Sequence, residues 1–136
     1  MANQNKIMEN CIFCKIVKGE IPCVKIWEDE NYLAFLDVNP ISQGHTLLIP
    51  KIHIDYIFDI EDDKYCELLL KAKNLAKILK LKLNPKRIGM VAEGFGVSHL
   101  HIHLIPINKM SEMDSINKKP SKIEELKKVA DIILSN

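Results

Sequence analysis

Three of the chain's five histidines fall within five residues, as His99, His101 and His103, with Leu100, Ile102 and Leu104 interleaved or following. Read as a strand, the stretch sends alternate side chains to opposite faces. The histidines then share one face and the aliphatics enter the core. At about 3.3 Å per residue the outer two stand about 13 Å apart, too far to bind one metal ion together without a bend. Two neighbours alone satisfy a His-x-His metal pair. A neutral imidazole is also a competent covalent nucleophile, since its ordinary pKa near 6.5 leaves it mostly unprotonated at pH 7. Neighbouring polar groups can fix its tautomer. The plainest alternative is three polar residues hydrogen-bonded along a sheet, and every ring then needs a partner.

A second set is Cys11 and Cys14, spaced Cys-x-x-Cys. The pair reads as a metal knuckle or a redox couple. The redox reading calls for a helix N-terminus in a thioredoxin-like βαβ unit, a pattern missing around it. Cys23 and Cys66 read as ordinary small residues. Ahead of the histidines runs Glu93-Gly94-Phe95-Gly96-Val97-Ser98. Gly94 and Gly96 suit either a tight turn or a cradle of backbone N–H groups for an anion, with the Ser98 hydroxyl as a further donor.

The elements that position these residues follow from patterning. Strands are expected over 24–27, 32–36, 46–49, 87–92 and 99–105, with Asp29-Glu30-Asn31 as a hairpin turn and 39–44 as a loop. Residues 11–17 form a short helix or knuckle closed by Gly19. Tyr65, Leu68, Ala72, Leu75 and Leu79 recur at three and four, which predicts a helix over 64–83 stopped by Asn84-Pro85. A capping box of Ser121 and Glu124 opens a last helix with Ile123, Leu126, Ala130 and Ile133 on one face. Helices do not alternate with strands, so the expected class is α+β with a five-stranded, mostly antiparallel sheet.

The 136 residues make one domain's worth of chain, 47% hydrophobic and 27% charged, with a formal net charge of +1. That charge offers no footprint for duplex nucleic acid or an anionic membrane. No apolar run approaches the 18 residues of a membrane span, and the opening MANQNKIMEN lacks the apolar segment of a signal peptide. A cytoplasmic protein with reduced thiols is expected.

The segment His99-Leu100-His101-Ile102-His103-Leu104-Ile105 resembles the signature of the histidine triad (HIT) superfamily. Three further blocks resemble its Hint-like branch in order: 11–22, opening on Cys11-x-x-Cys14; 34–40, around Asp37; and 44–53, ending at His53. The resemblance implies a HIT domain over 10–107. It leaves a flexible tail at 1–9 and a polar connector with an amphipathic helix at 108–136. It implies a homodimer with a continuous sheet, and a purine nucleotide whose α-phosphorus is attacked by His101, with His103 and His99 in support. The leaving group would belong to a phosphoramidate. A dinucleoside polyphosphate hydrolase and a non-catalytic nucleotide-binding module remain as alternatives. Asp37 matches the ribose-binding carboxylate. Phe13, Ile16, Ile21, Phe35 and Val38 match base-pocket positions, and His45 a pocket-side histidine. Cys11, Cys14, His53 and His99 match a structural zinc set, closed and without an open position for water. One departure is plain. The loop before the triad is short, lacks the family's phosphate-contacting glutamine, and carries Ala92 where an asparagine is usual. Gly96 and Ser98 then remain for phosphate.

Overall fold

The structure is a computed structural model describing Met8 and residues 10–136. The expected tail at 1–9 lies outside the described residues apart from Met8.

Strand β3 (Thr46–Pro50) is the centre of the sheet with β2 (Tyr32–Leu36) beside it, and every residue of both is buried. Such strands are covered on both faces, which explains their largely apolar sequence; the one hydroxyl of β3, on Thr46, is satisfied by the Gly44 carbonyl at 2.8 Å. With β1 (Lys25–Glu28), β4 (Arg87–Val91) and β5 (Ile102–Ile107) they make one sheet in the order β1-β2-β3-β5-β4, antiparallel at every pairing. The expected α+β class with a five-stranded antiparallel sheet is the observed fold. The β1–β2 turn is held by Asp29, whose Oδ1 accepts the N–H groups of Asn31 and Tyr32 at 2.8 Å.

Helices α2 (Asp62–Leu83) and α3 (Ile123–Leu134) cover one face of the sheet. Leu68, Ala72, Leu75 and Leu79 of α2 are buried against Tyr32, Ala34, Leu48, Ile102 and Leu104. Asn84 ends α2 in the left-handed region at φ 55°, with its N–H on the Lys80 carbonyl, and Pro85 follows. On the opposite face Leu33, Phe35, Leu47 and Ile49 pack with Phe13 of the short α1 (Ile12–Val17). This face carries the site.

Two local expectations are corrected. The last strand begins at Ile102, not His99. Its register with β3 pairs Leu48 with Ile102; carried on, that ladder would oppose Leu100 to Pro50, which has no N–H to give. The Leu100 N–H turns instead to the Ile54 carbonyl at 2.6 Å. The Ser121–Glu124 capping box does not form. Lys122 precedes α3 with no side-chain cap. The Ser121 N–H is taken by the Val38 carbonyl at 2.9 Å and its hydroxyl faces the Lys122 carbonyl. That tether holds Ser121 outside the helix. Ile123 is accordingly half exposed, and Leu126, Ala130 and Ile133 alone make the buried stripe.

Candidate active site

Because the ladder stops at Ile102, the three histidines part company. His99 is fully buried and turns towards α1. Its Nε2–H donates to the Pro50 carbonyl at 2.8 Å. A carbonyl can only accept, so the proton is on Nε2 and Nδ1 carries a lone pair. That lone pair faces Cys11 Sγ at 3.4 Å and Cys14 Sγ at 3.5 Å. His53 Nδ1 lies 3.3 Å from Cys14 Sγ. The four ligating atoms lie within 4.8 Å of one another. A tetrahedral ion with bonds of about 2.3 Å to sulfur and 2.0–2.1 Å to nitrogen sets its S···N edges near 3.6 Å. The observed separations fit that edge, so Cys11, Cys14, His53 and His99 could hold a metal ion. Burial pushes the Cys14 thiol pKa up and the His99 pKa down to about 4. Both groups are therefore neutral near pH 7 without an ion.

His101 and His103 face each other across 4.9 Å between ring centroids, closer than the roughly 6.6 Å that a regular strand would set for alternate residues. The His101 Nδ1–H donates to the His99 carbonyl at 2.7 Å. Its Nε2 is left as an unprotonated lone pair. The Phe13 and His101 rings meet in a T-shaped contact with centroids 5.1 Å apart.

The His103 tautomer follows from a chain of bonds behind it. The Ile41 N–H donates to His45 Nδ1 at 2.9 Å, so neutral His45 carries its proton on Nε2. That proton is donated to His103 Nδ1, also at 2.9 Å. His103 must then carry its own proton on Nε2, which points towards Glu93 Oε1 at 3.9 Å. Burial holds His103 below the ordinary histidine pKa and lowers His45 to about 4, with Asp37 acting the other way on both. The pair is neutral at pH 7. One free imidazole lone pair thus stands beside one imidazole N–H donor.

Both rings line a cavity of about 340 Å³. Phe13, Ile16, Ile21, Phe35 and Val38 line it too, as does Asp37 at its polar side. Asp37 Oδ1 accepts the Asn39 N–H at 2.9 Å, and Oδ2 lies 3.6 Å from His45 Nε2. Gly96 reaches this cavity, whereas Ser98 lines a neighbouring one beside Cys11 and His53. His45 does not line the nucleotide-sized cavity; it stands buried behind His103. Gly94 has a positive φ of 76°. Two charged lining residues escaped the sequence reading. Glu93 borders the glycine loop, a position that its charge and neighbours could have flagged. Lys118 sits in the connector, where no local pattern marks it.

The HIT domain family model matches residues 18–110. An uncharacterised HIT-like protein of Methanocaldococcus jannaschii is 45% identical over 101 residues, covering 71% of this chain and 78% of the relative. Adenosine 5'-monophosphoramidase of Schizosaccharomyces pombe is 42% identical over 103 residues, covering 71% and 74%. The crystal structure of a hypothetical histidine triad nucleotide-binding protein of Sulfolobus tokodaii superposes with a TM-score of 0.82 at 29% identity, over 91% of this chain and 89% of that one. With its signature histidines in place and the family model spanning most of its length, this chain belongs to the HIT family, in its Hint-like branch.

Proposed function

We propose that the protein is a hydrolase of purine nucleoside 5'-phosphoramidates, working through a nucleotidyl-histidine at His101. The observation that carries this reading is the tautomer pair: a His101 Nε2 lone pair beside a His103 Nε2–H, on the wall of an apolar cavity. The base lies among Phe13, Ile16, Ile21, Phe35 and Val38, and Asp37 accepts ribose hydroxyls. His101 Nε2 attacks the α-phosphorus. The P–N bond breaks, and the leaving amine takes the proton of His103 Nε2. A water then attacks the phosphorus and gives a proton back to His103. The bond from phosphorus to His101 breaks and the monophosphate leaves. The His99 carbonyl holds the His101 ring throughout, and the backbone at Gly96 lies beside the phosphate. This divides one displacement into two lower barriers.

The metal is assigned as zinc, on the donor chemistry of two thiolates and two imidazoles. When bound it supplies a structural clamp between α1 and the histidine segment. Cys11, Cys14, His53 and His99 would hold it. Two copies are proposed to pair along β4.

His101→Ala is expected to abolish turnover of adenosine 5'-phosphoramidate while AMP binding by calorimetry stays within a few-fold of wild type. Wild-type-like turnover by that variant would remove the covalent mechanism. Hydrolysis of a dinucleoside tetraphosphate in preference to the phosphoramidate would replace the substrate class.

A further inference from the structure

We infer that Lys118 selects leaving groups that carry a negative charge, by receiving them in a second cavity on the far side of His103; this rests on the hydrolase reading above. A cavity of about 350 Å³ adjoins the nucleotide cavity, and Glu93, His103 and Lys118 line both. His101 lines only the first. In a displacement at phosphorus the nucleophile and the leaving atom stand roughly in line on opposite sides. A leaving group that takes its proton from His103 and departs away from His101 is therefore directed into the second cavity.

The walls of that cavity say what fits. Ile41, Val91, Ile105 and Met113 are apolar, Ser115 offers a hydroxyl, and Lys118 is its one cation. Glu93 is its one carboxylate, and it faces His103 Nε2 rather than Lys118. Among the described residues Lys118 makes no ion pair. Its ammonium is near enough to His45 and His103 to disfavour a positive charge on either. The lysine is not on a free arm. Its own N–H bonds the Ser115 carbonyl at 3.1 Å, and the next residues bond Pro40 and Val38 at 3.3 and 2.9 Å. The connector is strapped to the loop that carries Asp37, and it presents a cation at the exit from the reacting phosphorus. An amine with a short carbon skeleton and a carboxylate suits these walls; a bare amine leaves the charge unused.

The test compares adenosine 5'-phosphoramidates of glycine and of glycinamide, which differ in one charge. Wild type is expected to favour the glycine compound by roughly fivefold in kcat/KM, the scale of a partly exposed ion pair. Lys118→Met should bring the ratio to about one by slowing the glycine compound alone, and Lys118→Arg should keep it. Lys119→Met, a change of the same charge one residue on, should leave the ratio intact. Equal rates in wild type overturn the inference. So does an equal loss on both compounds in Lys118→Met, which would put the lysine on the phosphate itself. A wild type that turns over neither compound fails the hydrolase reading, and the inference falls with it.

Discussion

His45 shows how a buried side chain that touches no substrate can set the chemistry of one that does. With the Ile41 N–H on one nitrogen, it has a single neutral tautomer, and that tautomer dictates the one at His103. The same burial makes stability depend on pH. His45 in the folded protein holds off its proton down to about pH 4, whereas in the unfolded chain it takes one up near its ordinary value of 6.5. Between those values the unfolded state binds more protons, so this contribution is complete above about pH 6.5 and is lost as the pH falls towards 4. Between pH 7 and 5 it amounts to roughly 2 kcal/mol. Urea midpoints of wild type and His45→Gln at the two pH values check this: the variant is expected to lose less stability on acidification. Parallel losses would mean that His45 titrates normally in the fold. The sequence marked His45 only through family likeness, as a pocket-side residue. Its place behind His103 depends on the 41–45 loop folding back, which periodicity does not encode.

At the scale of elements, Pro50 does the sorting. Alternation predicted three histidines on one face with Leu100, Ile102 and Leu104 in the core, and that division holds. What alternation missed is the parting of the histidines within their face, because the rule assumes an uninterrupted ladder. Pro50 ends the ladder and accepts a bond from His99 instead, and this swings His99 to the cysteines while His101 and His103 stay at the cavity. The amphipathic α2 and the central strands were legible to within two residues, since their apolar periods are long. The start of β5 and the cap of α3 were not, because each is decided by a bond to a distant segment. His99 also joins two parts of the site: its ring faces the thiols and its carbonyl holds His101. The α1 knuckle has only six helical residues, too few to persist on helical propensity alone. It rests on Phe13 packing and on the contacts of Cys11 and Cys14 with His53 and His99. Native mass spectrometry is expected to find about one zinc per chain, absent in Cys11→Ser and His53→Ala. Both variants should melt several degrees lower, with turnover reduced less than in His101→Ala, because a closed four-ligand site contributes folding free energy rather than Lewis-acid chemistry. A zinc-free wild type of equal melting temperature would dismiss the clamp. Immediate loss of turnover on chelation, in a protein that stays folded, would make the metal catalytic.

Seen whole, the molecule segregates stability from chemistry: α2 and α3 bury one face of the sheet, and the opposite face carries the cavity, the histidines and the cysteines. What remains open are the two sheet edges, and they differ. β1 is four residues long, its register is interrupted between Lys25 and Trp27, and Lys25 and Lys51 both pair with Glu28. Short length, a bulge and charge are how edges resist pairing. β4 is one residue longer, carries a single charge, Arg87, at its start, and has no bulge: its register to β5 is unbroken, and Met90 is 56% exposed. A regular edge whose one charge sits at its end is suited to accept another strand, and a second copy of β4 is the partner proposed here. Sedimentation equilibrium at tens of micromolar is expected to give twice the 15.6 kDa chain mass. Met90→Glu places like charges on neighbouring strands of the joined sheet and should shift the protein towards monomer, while Lys25→Gln at the other edge should leave the mass unchanged. Glu93 follows β4 by two residues and lines both cavities, so a free β4 should loosen the wall beside His103. The monomeric variant is therefore expected to raise KM for a phosphoramidate while remaining folded by circular dichroism. A wild type that is monomeric, or a Met90→Glu variant that stays dimeric with unchanged KM, would place the joining surface elsewhere or remove it.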